Sequence, residues 1–566
     1  MDTRELSDFF EKLEKTSSRI EITKTLALLF GKLKSDEADK VVYMVLGRLA
    51  PSYESVVFNV AEAMMIRSIS EAYGVPVDKV KKTYKSMGDL GLTAESYAKS
   101  GSNITVNELY STLYKIAEEG GEQSVERKVA GLSALLSKLD AKSVRFIARI
   151  PIGKLRLGFS DKTVLDALSW MEVGDKSKTG VLERTYEVLP DAGKLAAKVK
   201  KVGIDRASEN MSPQVGTPVA PMLPQRLKST TEMVKKMGEV AVEPKFDGLR
   251  VQIHFEEGKP ARAFTRNLNN ISEMFPELLD IGKYLKAKSV ILDSEAIGVD
   301  EKTKKFADFQ TTMNRRRKHN IAESARNTPL RFQIFDIMFL DGKNMMQKEY
   351  LERRRVLEKV IKKNKIFSVD ESIATDDPKV IKDIHEKYLK MGLEGVMVKK
   401  TTSKYVPGRT GWRWVKMKEV EEARGKLADT VDAVVMGYTR GKGKRVSFGV
   451  GQFLAGILDK EKIKTITKVG TGLTDEQFRE LNKRLKKIVV KSIPKEYEVH
   501  KDLEPDYWVS PEVVVELAAD ELTKSPKHTA GLALRFPRLV KFRDDKPVSQ
   551  ATSLGEIKKL YKLQRT

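Results

Sequence analysis

Cysteine is absent from all 566 residues, which excludes disulfides, thiolate metal sites, iron–sulfur clusters and a thiol nucleophile. Histidine is scarce: His254, His319, His385, His500 and His528 stand far apart, a spacing that suits neither a histidine metal site nor a triad. No apolar run approaches the roughly 20 residues a membrane helix needs, so no membrane partner is expected. The opening residues, Met1-Asp-Thr-Arg-Glu-Leu-Ser-Asp-Phe-Phe10, are charged from the start and do not read as a secretory signal. A cytoplasmic address is expected. Catalysis is left to Lys, Arg, Asp and Glu, with a hard, oxygen-preferring metal such as Mg2+.

Positive charge is in excess. Lys and Arg number 103 against 79 Asp and Glu, a formal +24. Neutralising phosphates releases counterions, so this surplus favours a nucleic-acid partner; a lysine-rich, thermophile-type surface fits the same 32% charged fraction. At about 150 residues per domain the length suggests three or four domains. The first 200 or so residues read as helical: Val125, Val129, Leu132, Leu135, Leu136 and Leu139 form one stripe at steps of three and four, as do Leu6, Phe9, Phe10 and Leu13. The proline-dotted stretch 211–224 resists helix and marks a boundary. Beyond it the period falls to two: 251–255, 290–297 and 332–337 read as strands, and 351–363 as a helix. From about Ala428, segments 431–438, 451–458 and 463–469, with Gly- and Lys-rich turns at 440–444 and 459–462, suggest a small barrel.

Lys245 lies in Glu243-Pro-Lys-Phe-Asp-Gly-Leu-Arg250. A lysine becomes a nucleophile only by shedding its proton, which surrounding positive charge makes less costly. On an extended segment Lys245 and Asp247 share a face. Gly248 lets the backbone turn close to a ligand, and Arg250 can grip a phosphate or ribose oxygen. Downstream stand Arg266, Glu295, Phe335, Glu394, and the pair Lys416 and Lys418. Glutamates on strands can hold a ribose hydroxyl or a metal, a phenylalanine can stack on a purine, and strand lysines two apart can hold a phosphate together. Singly, Glu295 or Glu394 reads as a strand-end surface residue, Phe335 as a core ring, and Lys416 with Lys418 as a solvated strand face.

K-x-D-G-x-R resembles the active-site signature of the covalent nucleotidyltransferases: DNA ligases, RNA ligases and mRNA capping enzymes. The ordered set resembles the motifs of ATP-dependent DNA ligases of the archaeal and eukaryotic replicative type. Arg543, Asp545 and Lys546 resemble the last of them, R-x-D-K, followed by Gln550-Ala-Thr552; the plain alternative is a basic face touching DNA backbone. The helical region is similar to that family's DNA-encircling domain, with Ile152-Gly-Lys-Leu-Arg-Leu-Gly-Phe-Ser-Asp161 as its marker. There Ser160 or Asp161 can cap a helix while Lys154 and Arg156 meet a phosphate, or the segment is simply a tight interhelical turn. Arg315, Arg316 and Arg317 track a DNA strand or occupy a solvated loop.

The resemblance implies an all-α DNA-binding domain (1–213), an α/β adenylation domain (214–418) and a C-terminal OB-fold β-barrel (419–566). It implies ATP with Mg2+, Mn2+ substituting, a lysyl-AMP intermediate on Lys245, and nicked duplex DNA sealed by a monomer. It assigns Glu243 and Phe335 to adenine and Glu295 to ribose. Arg250, Arg266, Lys399, Arg413, Lys416, Lys418, Arg543 and Lys546 fall to the phosphates, and Asp247, Glu295 and Glu394 to metal or its waters. Capping enzymes and RNA ligases share the lysine motif but not the helical region or the R-x-D-K ending, and NAD-dependent ligases need cysteines for zinc. A non-enzymatic DNA-coating protein explains the charge but not the ordered carboxylates. Thr3-x-x-Leu6-x-x-Phe9-Phe10 resembles a sliding-clamp box with Thr where Gln is usual, or is a helix packing its own Phe residues.

Overall fold

The computed structural model describes residues 1–99, 101–155, 157–227, 229–299, 306–307, 309–313, 315, 321–362, 364–408, 411–418, 430–441, 448–470 and 473–563. Two compact units result, Met1–Met417 and Lys418–Thr566.

The first unit begins with helices, from Thr3–Lys15 to Ala192–Ala207. Several start where a side chain accepts an orphan backbone N–H: Asp2, Ser18, Asp89, Thr105, Asp140 and Asp191 all do so. In Ser124–Lys138 the expected stripe is shifted. Val129, Leu132, Leu135 and Leu136 are buried, but Val125, in the opening turn, is 42% exposed. Lys128, 5% exposed, turns inward instead, its Nζ donating to the Phe58 carbonyl at 2.7 Å. Leu6, Phe9, Phe10 and Leu13 are all buried, with Phe10 edge-on to Phe146 at 5.5 Å. Of the two readings of this segment, the helix packing its own Phe residues is the one observed: Leu6, Phe9 and Phe10 are core side chains.

The proline-dotted stretch is a strap rather than a free linker. Ala220 N donates to the Glu187 carbonyl on the helical side. On the other side Gly216 N donates to His254 Nδ1 (3.0 Å) and Val219 N to Gln252 Oε1 (2.7 Å). Burial, with Arg262 nearby, pushes His254 down to about 3, so the ring stays neutral and its Nδ1 free to accept.

Two sheets follow. One runs Arg262–Thr265, Leu249–Glu256, Ser289–Gly298, Leu330–Leu340, Lys343–Asn344, with Phe367–Val369 parallel to Leu330–Leu340. The other runs Gln225–Arg226, Trp414–Lys418, Gly395–Lys400, Val240–Lys245, Ile373–Thr375. Helix Tyr350–Val360 packs on the first and Pro378–Lys390 on the second. Val219, Met222, Ile291, Met338, Tyr405 and Trp414 form one apolar cluster drawn from both sheets and the strap.

In the second unit Val431–Arg440, Val450–Asp459 and Lys462–Val469 form an antiparallel meander, ladder-bonded in sequence order. Val514–Ala518 pairs with the first half of Val431–Arg440, Tyr507–Val509 with its second half, and Arg538–Phe542 with Val514–Ala518. Val435, Phe453, Ile466 and Val515 lie in its core, which helices Asp475–Leu485 and Leu554–Leu563 help to close. Of the expected 440–444 turn, residues 442–444 lie outside the described residues. No described helix is long and apolar enough to cross a membrane.

Candidate active site

Side-chain alternation on paired strands assembles the site. Val240–Lys245 runs antiparallel to Gly395–Lys400, with Lys245 opposite Gly395, Glu243 opposite Met397 and Ala241 opposite Lys399. Period two therefore places Glu243, Lys245, Met397 and Lys399 on one face, joined on the neighbouring strand by Trp414 and Lys416. The other sheet contributes Arg250, opposite Glu295 in register, and Phe335, the extra residue of a β-bulge where Ser294 and Asp293 pair with Ile334 and Asp336. All of these line one cavity of about 560 Å3, together with Arg266, Thr265, Asn267 and Asp370.

Lys245 contacts the Glu394 carboxylate directly, and the Glu394 amide donates to the Lys245 carbonyl at 3.0 Å. Burial holds the Lys245 amine below the ordinary lysine range; Glu295 and Asp247 pull it back up, and Arg250 and Arg266 push it down. The sequence suggests positive neighbours as the cause, but desolvation comes first and the two arginines are secondary. Glu295 is raised to about 7, by burial above all and further by Asp293, against the pull of Lys245 and Arg250. Gly248 serves a different purpose from the one expected. A Cβ there would lie 2.5 Å from the Ala296 carbonyl and 3.0 Å from Glu295 Cγ, so glycine lets the turn pack against the Glu295 strand.

Glu243 and Lys399, each 1% exposed, form an ion pair at 2.6 Å. Glu243 also accepts from the Tyr350 hydroxyl. The Lys399 ammonium donates to the Phe335 carbonyl at 2.9 Å and lies 4.5, 4.9 and 5.1 Å from the ring centroids of Trp414, Phe335 and Tyr350. Arg250 clasps Asp293 through Nε (3.0 Å) and Nη2 (2.6 Å) and donates to the Met222 carbonyl at 2.8 Å. In this state most of its donors face protein oxygens rather than an open grip.

Not every expected residue reaches the cavity wall. Strand Val240–Lys245 ends at the nucleophile, so Asp247 sits exposed on the following turn; the alternation argument stops one pair short. It remains close enough to act on Lys245. Arg413 precedes Trp414–Lys418 and is half-buried, its carbonyl accepting from Lys400 N. Lys418 ends that strand, its side chain outside the described residues. Lys154 is partly exposed, 3.7 Å from Glu62. Ser160 occupies the N-cap position but makes no side-chain cap bond, and Asp161 pairs with Arg48. Arg156, Arg316 and Arg317 lie outside the described residues. Arg315 is a correction: at 2% exposure it turns inward and clasps both oxygens of Glu277 (2.7 and 2.9 Å), so it braces the fold and offers no charge to DNA. In the second unit Arg543 Nη1 grips both oxygens of Asp432 (2.9 and 3.0 Å), its Nε and Nη2 bond Asp545, and Lys546 reaches Asp432 at 2.6 Å.

Among the described residues no three carboxylates or histidines converge on a metal position. Glu295, Glu394 and Asp247 act on or touch Lys245 without forming a cage. That suits Mg2+, which keeps most of its water and shares phosphate oxygens, binding through one or two carboxylates.

Sequence reasoning missed four groups. Trp414 and Asp370 line the cavity. Behind it Arg353 (Nε 2.7 Å, Nη2 2.9 Å) clasps Asp336, next to Phe335. The Tyr405 hydroxyl donates to Asp293 at 2.9 Å, fixing the partner of Arg250. Only Trp414 carried a signal, lying two residues before Lys416 on an alternating strand; the others meet the site through tertiary packing.

A half-buried lysine on the wall of a nucleotide-sized cavity, ringed by acids and cations, defines an enzyme that carries a nucleotide on an amine. Residues 2–169 match the DNA ligase N terminus family, 221–418 the ATP dependent DNA ligase domain and 447–546 the ATP dependent DNA ligase C terminal region. A probable DNA ligase of Dictyoglomus turgidum is 39% identical over 99% of this chain and 97% of its own. A DNA ligase of Nitrosopumilus maritimus is 36% identical (99% and 98%), as is DNA ligase 1 of Methanosarcina mazei (99% and 99%). The solved structure Pmar-Lig_Pre, 17% identical, covers 95% of this chain and 99% of its own at a TM-score of 0.53, a likeness of fold. The chain belongs to the ATP-dependent DNA ligase family.

Proposed function

We propose that this protein seals 5′-phosphate/3′-hydroxyl nicks in duplex DNA in three steps driven by ATP. The observation that carries the reading is Lys245, desolvated at the end of its strand with Glu243, Lys399, Phe335, Arg266 and Lys416 around one cavity. Residues 1–213 serve as the helical DNA-binding domain, 214–418 as the adenylation domain and 419–566 as the OB-fold domain.

In the first step neutral Lys245 Nζ attacks the α-phosphorus of ATP. A P–N bond forms, the bond to the β-phosphate oxygen breaks, and pyrophosphate leaves. Desolvation favours the required neutral amine, and Glu394, in contact with that amine, is placed to take its proton. Phe335 and Glu243 hold the adenine, Glu295 the ribose, and Arg250, Arg266, Lys399, Arg413, Lys416 and Lys418 the α-phosphate. Arg543 and Lys546, once released from Asp432, orient the leaving pyrophosphate. Glu394, Glu295 or Asp247 would hold Mg2+, or Mn2+ in its place, which would supply neutralisation of phosphate charge. In the second step the 5′-phosphate at a nick attacks the adenylate and Lys245 leaves as an amine; in the third the 3′-hydroxyl attacks the activated phosphate and AMP departs. Positioning and fixed charge account for most such catalysis. The protein works as a monomer on nicked duplex, with Lys154 and Arg156 against its backbone.

Lys245→Ala tests the reading. It abolishes covalent label from α-32P-ATP in a chain that otherwise adenylates and transfers AMP to nicked duplex; label persisting in the variant overturns the nucleophile.

A further inference from the structure

The R-x-D-K turn of the second unit is held in a net of ion pairs. Arg543 follows strand Arg538–Phe542, its amide donating to the Val514 carbonyl at 2.9 Å. Its guanidinium commits four hydrogen bonds to two carboxylates: Nη1 to both oxygens of Asp432, Nε and Nη2 to Asp545. Lys546 Nζ donates to the same Asp432 at 2.6 Å. Asp432, 8% exposed, is thus shared by both cations. Glu516 lies opposite it in the ladder, with Oε2 3.6 Å from Arg543 Nη1.

The Gln550-Ala-Thr552 segment, which the mechanism leaves without a task, seats this acid. Thr552 N donates to the Asp432 carbonyl at 2.8 Å, and Thr552 Oγ1 accepts from Asp432 N at 2.9 Å. Ala551, 6% exposed, anchors the segment in the apolar cluster of Val434 and Leu454. The chain that follows the R-x-D-K turn therefore fixes the backbone of Asp432, while the turn's own cations close on its side chain.

A polyphosphate needs the same N–H groups. Arg543 has five, and with four on carboxylates a phosphate gains the fork only by displacing an acid. Arg543 and Lys546 also line a cavity of about 430 Å3, so an anion can reach them with the turn intact. Where the binding-competent state is a fraction of the population, apparent affinity is reduced by that fraction.

We infer that Asp432, seated by Thr552, is the resting counter-ion of Arg543 and Lys546 and competes with pyrophosphate for them, so that the product of the first step is held weakly. This rests on the reading that the two cations orient the leaving pyrophosphate. Asp432 acts through them and is a positioning residue. Pyrophosphate that stays bound can reverse the step: its oxygen attacks the α-phosphorus of lysyl-AMP, the P–N bond breaks, ATP forms and Lys245 leaves as an amine. Recapture of the cations by Asp432 opposes that return.

The test discharges AMP from the 32P-labelled lysyl-AMP form of the full chain with inorganic pyrophosphate and reads the half-saturating concentration. Asp432→Asn keeps the shape, removes the charge and lowers that concentration by about 3- to 30-fold, the range for loss of a charge-assisted pair near the surface. A merely structural lesion does not tighten a ligand. Thr552→Val, which loses the hydroxyl but keeps the amide bond, shifts it the same way by less. Adding Asp432→Asn to Arg543→Ala/Lys546→Ala brings no gain. An unchanged or higher concentration in Asp432→Asn, or a gain that survives without the two cations, overturns the inference. Should the Asn variant not fold, Thr552→Val decides, and no decrease there overturns it. Arg543→Ala/Lys546→Ala alone scores the parent reading: a concentration equal to the wild type sinks that reading and this inference with it. A rise there, with no gain in Asp432→Asn, sinks only the competition.

Discussion

Replacing Lys399 by Met removes an ammonium while keeping most of its apolar stem, and leaves Glu243 buried without its cation. The pair sits at 2.6 Å with both side chains 1% exposed. At an effective dielectric near 20 the gross attraction is about 6 kcal/mol, much of it offset by the desolvation of both charges. Breaking a buried pair from one side costs about 3–5 kcal/mol, because an uncompensated charge remains. Glu243 keeps the Tyr350 hydroxyl and has Arg354 at 3.7 Å, so the lower end, about 3 kcal/mol, is expected. Glu243→Gln strands the ammonium less severely, since Lys399 keeps the Phe335 carbonyl and three aromatic faces. The double variant Glu243→Gln/Lys399→Met removes both charges and costs less than the two singles together, a coupling of about 2 kcal/mol. Urea denaturation in a Trp508→Phe background measures it. The remaining tryptophans, Trp170, Trp412 and Trp414, all lie in the first unit, so their fluorescence reports the unfolding of that unit in a chain that need not unfold in two states. A Lys399→Met midpoint equal to the wild type, or strictly additive singles, would refute the claim that the site is built on this pair. Adenylation should be lost in all three variants, which separates the pair's structural from its catalytic part.

Two further predictions rest on the same reading. Truncating Arg543 or Lys546 to Ala depresses self-adenylation more than the sealing of pre-adenylated nicks, and equal loss in both assays contradicts their orienting role. Asp336 provides the pH dependence. Burial alone would raise its carboxyl, but the Arg353 guanidinium overcompensates and holds it below the ordinary value. Its contribution to stability is therefore complete above the unfolded pKa of about 3.9 and is lost as pH falls through the lower folded value. The urea midpoint of the first unit should decline below pH 4, and Asp336→Asn should flatten that part of the decline; an unchanged acid slope would show that Asp336 is not its source.

Alternation on extended segments pointed to Lys245 with Asp247 and to Lys416 with Lys418, while Glu243, Glu295, Phe335 and Lys399 were legible through the resemblance to the ligase motifs; in the structure strand pairing turns spacing into shared faces. Glu243 with Lys245, Met397 with Lys399 and Trp414 with Lys416 are each two apart, and the register stacks them. The method failed where strands end or bend. Asp247 lies two residues past the end of its strand, and Phe335 reaches the cavity through a bulge that no spacing rule announces. Helical periodicity was similarly sound in the middle and weak at the end, as Val125 shows by facing solvent while Lys128 is buried on the Phe58 carbonyl. Arginine runs were the least informative: Arg315 reads as a DNA contact by composition, but a distant glutamate, Glu277, claims it. Asp370, 125 residues from Lys245, carries no motif, and only parallel pairing with the Phe335 strand brings it in.

That desolvation, rather than cations, leads in holding Lys245 below its usual range has a mechanistic consequence. An arriving triphosphate brings negative charge that favours the protonated amine, and the neighbouring cations offset it. Burial lowers the amine's proton affinity before any nucleotide is bound, and leaves the cations to serve the phosphates. The carboxylates oppose this to different degrees. Glu295, raised to about 7, is only partly ionised near neutrality and so pulls weakly on the lysine proton. Glu394 is in direct contact with the amine. Glu295, the acid that opposes deprotonation most, is thus itself partly neutral.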